Sequence, residues 1–180
     1  MTSVLIRSFL PSEWTLYRDT RLAALHDAPD AFGSTFAQNR TYDDAVWRAR
    51  LEGLDPKADN PLLALVDDAV GGMAWITIKA ERPDTAQLFQ MWVAPEHRGR
   101  GVGRGLLAAA IDWARLNGAR TVELGVTVGA SPARRLYESA GFRPTHETEP
   151  LREGSALRMQ PMALTLADGT RGAPGVNPDE

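Results

Sequence analysis

A turn rich in glycine and arginine, at residues 98–105, carries the residue types that bind anions. It reads Arg98-Gly99-Arg100-Gly101-Val102-Gly103-Arg104-Gly105, and it lies between an apolar segment that ends at Pro95 and an apolar helical pattern. Glycines let successive backbone N–H groups converge on one point, and the first turn of a helix adds unsatisfied N–H donors and partial positive charge. Guanidinium groups suit phosphate oxygens. The turn therefore predicts a phosphate-binding site.

The same glycines satisfy a second phosphate-binding pattern. Gly103-Arg104-Gly105-Leu106-Leu107-Ala108 has the G-x-G-x-x-A spacing of dinucleotide-binding folds, and Glu123 lies about where their ribose-binding acid falls. In those folds a strand leads straight into the first glycine, whereas residues 95–101 intervene here, and too little chain follows Gly105 for a doubly wound sheet. The sequence has no G-K-[ST], which excludes a P-loop. The dinucleotide interpretation is therefore disfavoured.

Two motifs of the chain resemble those of the GNAT acetyltransferases. Residues 98–103 match the R/Q-x-x-G-x-G/A motif of that family and follow its usual V-x-P, here Val93-Ala94-Pro95. Residues 132–142, Pro132-Ala133-Arg134-Arg135-Leu136-Tyr137-Glu138-Ser139-Ala140-Gly141-Phe142, resemble its A-x-x-L-Y-x-x-x-G-F signature. Spacing and element order agree from about Val4 to Leu166. The resemblance implies an N-acetyltransferase that moves the acetyl group of acetyl-CoA, its cosubstrate, to a primary amine of a small molecule or protein, by direct attack in a ternary complex.

The resemblance also implies which residues hold the coenzyme. The amides of the turn would bind the pyrophosphate, and the backbone of Val93 would pair with the pantetheine arm. Ala130 stands where the family often has an asparagine, so Ser131 either replaces it or caps the helix that follows. The positions expected to bind the coenzyme are Trp92, Val93, Arg98, Gly99, Arg100, Gly101, Val102, Gly103, Arg104, Ser131, Arg134 and Tyr137.

Tyr137 is the expected catalytic residue, because it matches the motif tyrosine that protonates the coenzyme sulfur in the family. A phenol with a pKa near 10 keeps its proton at neutral pH and can pass it to a thiolate. Its alternative role is to pack its helix onto the sheet. The general base stays open, since Gln87 and Gln90 stand on the strand where many family members have a glutamate. The remaining candidates are a water chain and the side chains of Glu123, His146, Glu147 and Glu149.

Composition restricts the other function classes. The 180 residues are 43% hydrophobic and 24% charged, which predicts one folded domain over residues 1–167, and the breaker-rich tail 168–180 is expected to be disordered. A net charge of -3 and a pI near 5.7 disfavour nucleic acid as a partner. No segment approaches the roughly 20 apolar residues of a membrane span, and no signal peptide is recognisable, so a cytoplasmic location is expected. The chain has no cysteine, and its histidines lack metal-ligand spacing, so no metal is expected.

Hydrophobic periodicity predicts a mixed α/β fold with a mostly antiparallel central sheet of about seven strands and about four flanking helices, which is also the GNAT fold that the resemblance implies. The helices are expected to begin at Ser12, which would cap the first, at Thr41, near Gly103 and at Pro132. The expected strands are a short one at Val4 and segments at 62–66, 71–79, 87–93, 121–126, 142 onward and 156–166.

The acceptor is expected to be recognised by the first two helices and the loop between them. Nine acidic and six basic residues between Glu13 and Asp59 favour a cationic amine, and the aromatic candidates for a pocket are Phe32, Phe36, Tyr42 and Trp47. Two alternative functions remain: transfer of a longer acyl group, and a non-catalytic acyl-CoA sensor, which Gln90 and Ala130 suggest. Dimers are frequent in the family, so a homodimer is expected by analogy.

Overall fold

Alternating apolar residues in the middle of the chain form one mixed sheet. The structure, a computed structural model, describes residues 3–166. Its strands are β1 (Val4–Ser8), β2 (Asp59–Val66), β3 (Ala69–Ile78), β4 (Thr85–Val93), β5 (Thr121–Thr127), β6 (Arg143–Pro144), β7 (Glu149–Pro150) and β8 (Arg158–Thr165). They lie in the order β1-β2-β3-β4-β5-β8-β6, with β7 paired to β8. Strands β4 and β5 are parallel, and the other described pairs are antiparallel.

The helices cover both faces of this sheet. They are α1 (Trp14–Asp27), α2 (Phe36–Asn39), α3 (Asp44–Ala49), α4 (Val102–Leu116) and α5 (Pro132–Ser139). One core joins α4 and α5 to a face of the sheet through residues such as Leu106 and Tyr137, and a second core joins α1 and α3 to the other face through Tyr17 and Trp47. None of the helices within residues 3–166 has the length and apolar character to span a membrane.

The predicted mixed fold is confirmed, with two differences in the count of elements. The strand expected from Phe142 onward is divided into β6 and β7, two-residue strands that each end at a proline and pair with β8. The additional helix α2 is a single turn that Thr35 caps by accepting a hydrogen bond from the backbone N–H of Gln38. The tail at 168–180, expected to be disordered, lies outside the described residues.

Two expected helix starts were wrong. Ser12 does not cap α1, because it lies inside a 3-10 turn, Pro11–Glu13, that leads into the helix. Thr41 precedes α3, and the capping residue is Asp43, whose carboxylate accepts a 3.0 Å hydrogen bond from the backbone N–H of Val46. A carboxylate at position 43 accepts a hydrogen bond from a first-turn N–H and faces the positive end of the helix. Helix α3 therefore begins after Asp43, closer to its apolar residues than a start at Thr41 would be.

Candidate active site

Strands β4 and β5 pair only at their beginnings and diverge afterwards. Thr85–Gln87 pair with Thr121–Glu123, and no later pairing of these two strands occurs within the described chain. Both strands continue, β4 to Val93 and β5 to Thr127. The divergence leaves backbone edges between the two strands open to a ligand, at the carboxyl end of the only parallel pair that residues 3–166 contain.

A bulge in β4 lies beside this opening. Trp75 of β3 pairs with Phe89, whereas Met73 pairs with Trp92, so β4 carries one more residue than β3 over this stretch. Gln90, within it, has a φ of 55°. An extra residue with positive φ bends a strand and turns its later residues in a new direction. The bulge thus directs the end of β4 away from β5 and towards the glycine-arginine turn.

The turn between β4 and α4 is a cradle of free backbone donors. Gly99 and Gly101 have φ values of 74° and 82°, and an added Cβ at either would meet no atom within 4 Å. Helix α4 starts at Val102, and its first hydrogen bond runs from the N–H of Gly105 to the carbonyl of Gly101 at 2.9 Å. The N–H groups of residues 102–104 therefore lack an acceptor in the preceding turn. Free donors, positive helix end and open space together suit a phosphate group.

A cavity of about 650 Å³ connects this cradle to α5. Ten of the twelve residues expected to bind the coenzyme line it: Trp92, Val93, Arg98, Gly99, Gly101, Val102, Gly103, Arg104, Ser131 and Tyr137. Sequence reasoning missed others in its lining, including Ala28, Ala31, Met91 and His97, and it assigned Phe32 to the acceptor side. Residues 28–32 follow α1 and reach the cavity through tertiary packing. Small apolar residues such as Ala28 and Ala31 carry no local sequence pattern that would predict this packing. We call this space the coenzyme cavity.

Arginines at this site are partly engaged by protein groups. The Arg98 guanidinium donates a 3.1 Å hydrogen bond to the carbonyl of Val93 and pairs with the carboxylate of Asp27. Arg134 pairs with Glu138 at 2.8 Å and, like Arg100, does not line the cavity. The side chain of Ser131 accepts a 3.1 Å hydrogen bond from the backbone N–H of Arg134, so it caps α5 as well as lining the cavity. Positive charge in the lining comes from Arg104 and from the helix end.

Asp27, at the end of α1, links that helix to the coenzyme cavity. Besides pairing with Arg98, its carboxylate accepts a 2.8 Å hydrogen bond from Nε1 of Trp92. Burial alone would raise the pKa of Asp27, but the hydrogen bonds from Trp92 and Arg98 outweigh it and hold the pKa below its ordinary value. The stabilisation is therefore complete above the ordinary carboxyl pKa near 3.9 and is lost as pH falls through the lower folded-state value.

Replacing Asp27 with asparagine is expected to lower the free energy of unfolding by about 1–3 kcal/mol at pH 7, because two donors lose a charged acceptor. Denaturant unfolding, followed by tryptophan fluorescence, measures the change. Asp19→Asn is a matched control on the same helix, since Asp19 is 64% exposed and pairs with Arg18 at the surface. An equal effect of the two substitutions, or a difference that does not decrease as the pH falls below the ordinary carboxyl pKa near 3.9, would contradict the role given to Asp27.

Tyr137 lies where the coenzyme cavity meets a second cavity of about 400 Å³ along β5. Its side chain is 5% exposed, its ring packs against Phe142 with centroids 5.9 Å apart, and its hydroxyl has no hydrogen-bond partner within residues 3–166. Burial raises the pKa of the phenol above its usual value near 10. The hydroxyl is thus protonated at neutral pH and free to donate to a ligand.

The candidate general bases share a different cavity, of about 640 Å³, which we call the acidic cavity. Its lining includes Gln87 of β4 and all four candidate side chains, which are Glu123, His146, Glu147 and Glu149. Arg82 donates hydrogen bonds of 2.9 and 2.7 Å to the two carboxylate oxygens of Glu123, and this holds the pKa of Glu123 below its ordinary value. Glu123 is therefore a weaker base than an unpaired glutamate. Across residues 3–166, no three His, Asp or Glu side chains form a group that could hold a metal ion.

Comparisons with known proteins agree on one family. The model of the Acetyltransferase (GNAT) family matches residues 21–142. A mycothiol acetyltransferase from Stackebrandtia nassauensis is 33% identical over 143 residues, which are 77% of this chain and 44% of that protein. A second, from Kocuria rhizophila, is 34% identical over 131 residues, 69% of this chain and 43% of that protein. The chain thus spans less than half the length of these curated relatives.

Solved structures share the fold over nearly the whole chain. The protein yncA of Salmonella typhimurium, solved with its cofactor acetyl-CoA, superposes with a TM-score of 0.74 at 25% identity and covers 97% of this chain and 99% of its own. The spermidine N-acetyltransferase of Vibrio cholerae, solved with CoA and spermine, superposes with a TM-score of 0.71 over 90% of this chain and 95% of its own. At 18% identity, this second likeness shows the fold alone.

Proposed function

Because the chain belongs to the GNAT acetyltransferase family, we propose that it is an N-acetyltransferase that transfers the acetyl group of acetyl-CoA to a primary amine. One observation carries the proposal: a single cavity joins the glycine cradle at the start of α4 to the free hydroxyl of Tyr137. An anion site and a proton donor in the lining of one cavity suit a long ligand with a phosphate group at one end and a reacting group at the other.

The residues present fit the coenzyme. Gly99 and Gly101 leave space where other residues would place a Cβ, so the pyrophosphate can approach the backbone N–H groups of residues 102–104 closely. Arg104 adds positive charge to the lining, and the end of β4 offers the backbone of Val93 to the pantetheine amides. This assignment accounts for ten of the twelve expected contact residues and leaves Arg100 and Arg134 outside the cavity.

In the proposed reaction, acetyl-CoA supplies a thioester: its carbon–sulfur bond breaks as a carbon–nitrogen bond forms, the amine loses one proton, and the sulfur gains one. Tyr137 donates the proton to the sulfur, because its hydroxyl is protonated and has no competing acceptor in the described chain. The proton of the amine leaves through the acidic cavity, where three acidic side chains and His146 favour the approach of a cation.

Calorimetric titration of the purified protein with acetyl-CoA, free CoA and NAD tests the proposal. Binding of both CoA species with a dissociation constant on the order of micromolar is expected, and no binding of NAD. Thiol release from acetyl-CoA should then accelerate in a panel of amines. Coenzyme binding without acceleration by any amine would indicate a sensor, and a faster reaction with succinyl-CoA would indicate a longer acyl group. Absence of binding by either CoA species would remove the proposed function.

A further inference from the structure

Arg21, on α1, is a buried cation without an anionic partner. Its side chain is 3% exposed, and its Nη2 donates a 2.8 Å hydrogen bond to the hydroxyl of Ser34. Its Nε and Nη1 have no acceptor in the described residues, and its Cζ lies 4.5 Å from the ring centroid of Phe32. Burial lowers the pKa of Arg21 to about 10, which still leaves the guanidinium charged at neutral pH. A buried charge is normally paired, so an unpaired one beside a cavity points to a ligand.

The cavity that Arg21 lines carries a second arginine. It has a volume of about 310 Å³, and we call it the arginine pocket; its lining is Tyr17, Arg21, Ser34, Asn39, Tyr42, Arg50, Asp59, Trp75, Thr77, Phe89 and Gln90. The Arg50 guanidinium stacks 4.6 Å from the ring of Trp47 and forms no ion pair in the described chain. Asp59 is the one acidic residue of this lining, and its carboxylate accepts a 2.9 Å hydrogen bond from Trp75. Two cations therefore face a single, already engaged anion.

The arginine pocket adjoins the acidic cavity. Gln90, at the bulge of β4, lines it and accepts a 2.9 Å hydrogen bond from the hydroxyl of Tyr17. Phe89 lines both the arginine pocket and the acidic cavity, so the two spaces are neighbours across one side chain. Its ring stacks on that of Trp75 with centroids 6.0 Å apart, which provides an apolar surface between the two charged regions.

We propose that the acceptor is an amine that also carries a carboxylate, such as an amino acid, and that the arginine pocket binds this carboxylate. The amine then faces the acidic cavity, and the carbon skeleton rests on Phe89 and Trp75. The inference rests on the proposed function and deepens it. It differs from the expectation of a cationic amine, because of the nine acidic residues between Glu13 and Asp59 only Asp59 lines this pocket, whereas Arg21 and Arg50 both do.

Acetylation rates for matched pairs of amines test the inference. Each pair is an amino acid and its carboxamide, and kcat/KM is expected to favour the carboxylate about ten- to hundredfold, as for a hydrogen bond to a charged group. Arg50→Met should remove most of that preference. Arg48→Met is the matched control: Arg48 lies in α3, two residues before Arg50, is 4.6 Å from the ring of Trp14, and does not line the pocket. Arg50 is preferred to Arg21 for the variant, because it is less buried.

A binding assay keeps this test separate from that of the proposed function. The melting temperature of the protein saturated with free CoA is measured with an N-acetyl amino acid and with its carboxamide, neither of which requires turnover. A larger rise with the carboxylate, reduced in Arg50→Met but not in Arg48→Met, supports the site even if no amine is acetylated. Equal responses to carboxylate and carboxamide, or a preference for an aminophosphonate over the amino acid, would overturn it.

Discussion

Replacing Gly101 with valine is expected to weaken acetyl-CoA binding at least about 100-fold, because the substitution would misdirect several charge-assisted hydrogen bonds worth about 1.5–3 kcal/mol each. Gly101 has φ 82° and ψ 0°, a left-handed conformation that a β-branched residue adopts only with strain. The turn would relax towards negative φ and rotate the N–H groups at the start of α4 away from the pyrophosphate. Calorimetric titration with acetyl-CoA measures the loss.

Gly118→Val is the matched control for this experiment. Gly118 follows the other end of α4, has a φ of 87°, and likewise has no atom within 4 Å of an added Cβ. Valine there imposes a similar backbone strain, on the order of 1–3 kcal/mol, far from the cradle. We expect a lower melting temperature and unchanged coenzyme affinity. Equal losses of affinity in both variants would show that Gly101 acts through global stability, and the cradle would lose its assignment.

Tyr137→Phe is expected to lower kcat on the order of 100-fold while coenzyme affinity stays nearly constant, since general acid catalysis contributes about 10²–10⁴ to a rate. The ring keeps its packing against Phe142, and the hydroxyl gives up no hydrogen bond within residues 3–166. The melting temperature should therefore change little. Steady-state rates at saturating amine, together with titration by acetyl-CoA, separate turnover from binding.

The pH dependence of turnover by the wild-type protein gives an independent check on the role proposed for Tyr137. Burial raises the pKa of its phenol, so the group stays protonated through and beyond pH 10, the ordinary phenol pKa. Loss of the Tyr137 proton should accordingly cause no decline of kcat below about pH 10. Any decline seen there in the wild-type protein should therefore remain in Tyr137→Phe. Normal turnover of the variant would remove Tyr137 from the chemistry and leave it a packing role.

Local signals predicted the parts of the fold that depend on backbone conformation. Three such parts were recognisable because each depends on the backbone conformation of a few neighbouring residues. They are the glycine-arginine turn, Pro132 at the start of α5 and Gly118 after α4. Helix α2 was not predicted, for the converse reason: a one-turn helix has no apolar period to detect, and its capping box at Thr35 and Gln38 is the only signal.

The features of the candidate site that were not predicted depend on contacts between residues far apart in the sequence. Arg98 was expected to contact phosphate, but the carboxylate it pairs with lies 71 residues earlier, at Asp27. The count of acidic residues over the first helices favoured a cationic amine. Such a count does not show that Arg21 and Arg50, and only one of these acids, line the arginine pocket. Arg21 and Ser34 meet only when α1 and the loop after it pack on the sheet, and that contact defines the arginine pocket.

Phe32 connects the coenzyme cavity to Arg21: it lines that cavity, and its ring lies 4.5 Å from the guanidinium of Arg21. A coenzyme that fixes this ring also fixes the cation behind it. The coenzyme and the proposed carboxylate-bearing acceptor should therefore bind with positive cooperativity, and thermodynamic reciprocity requires each to tighten the binding of the other by the same factor. Kinetically, this favours a compulsory order in which the coenzyme enters first and the acceptor meets a site already assembled.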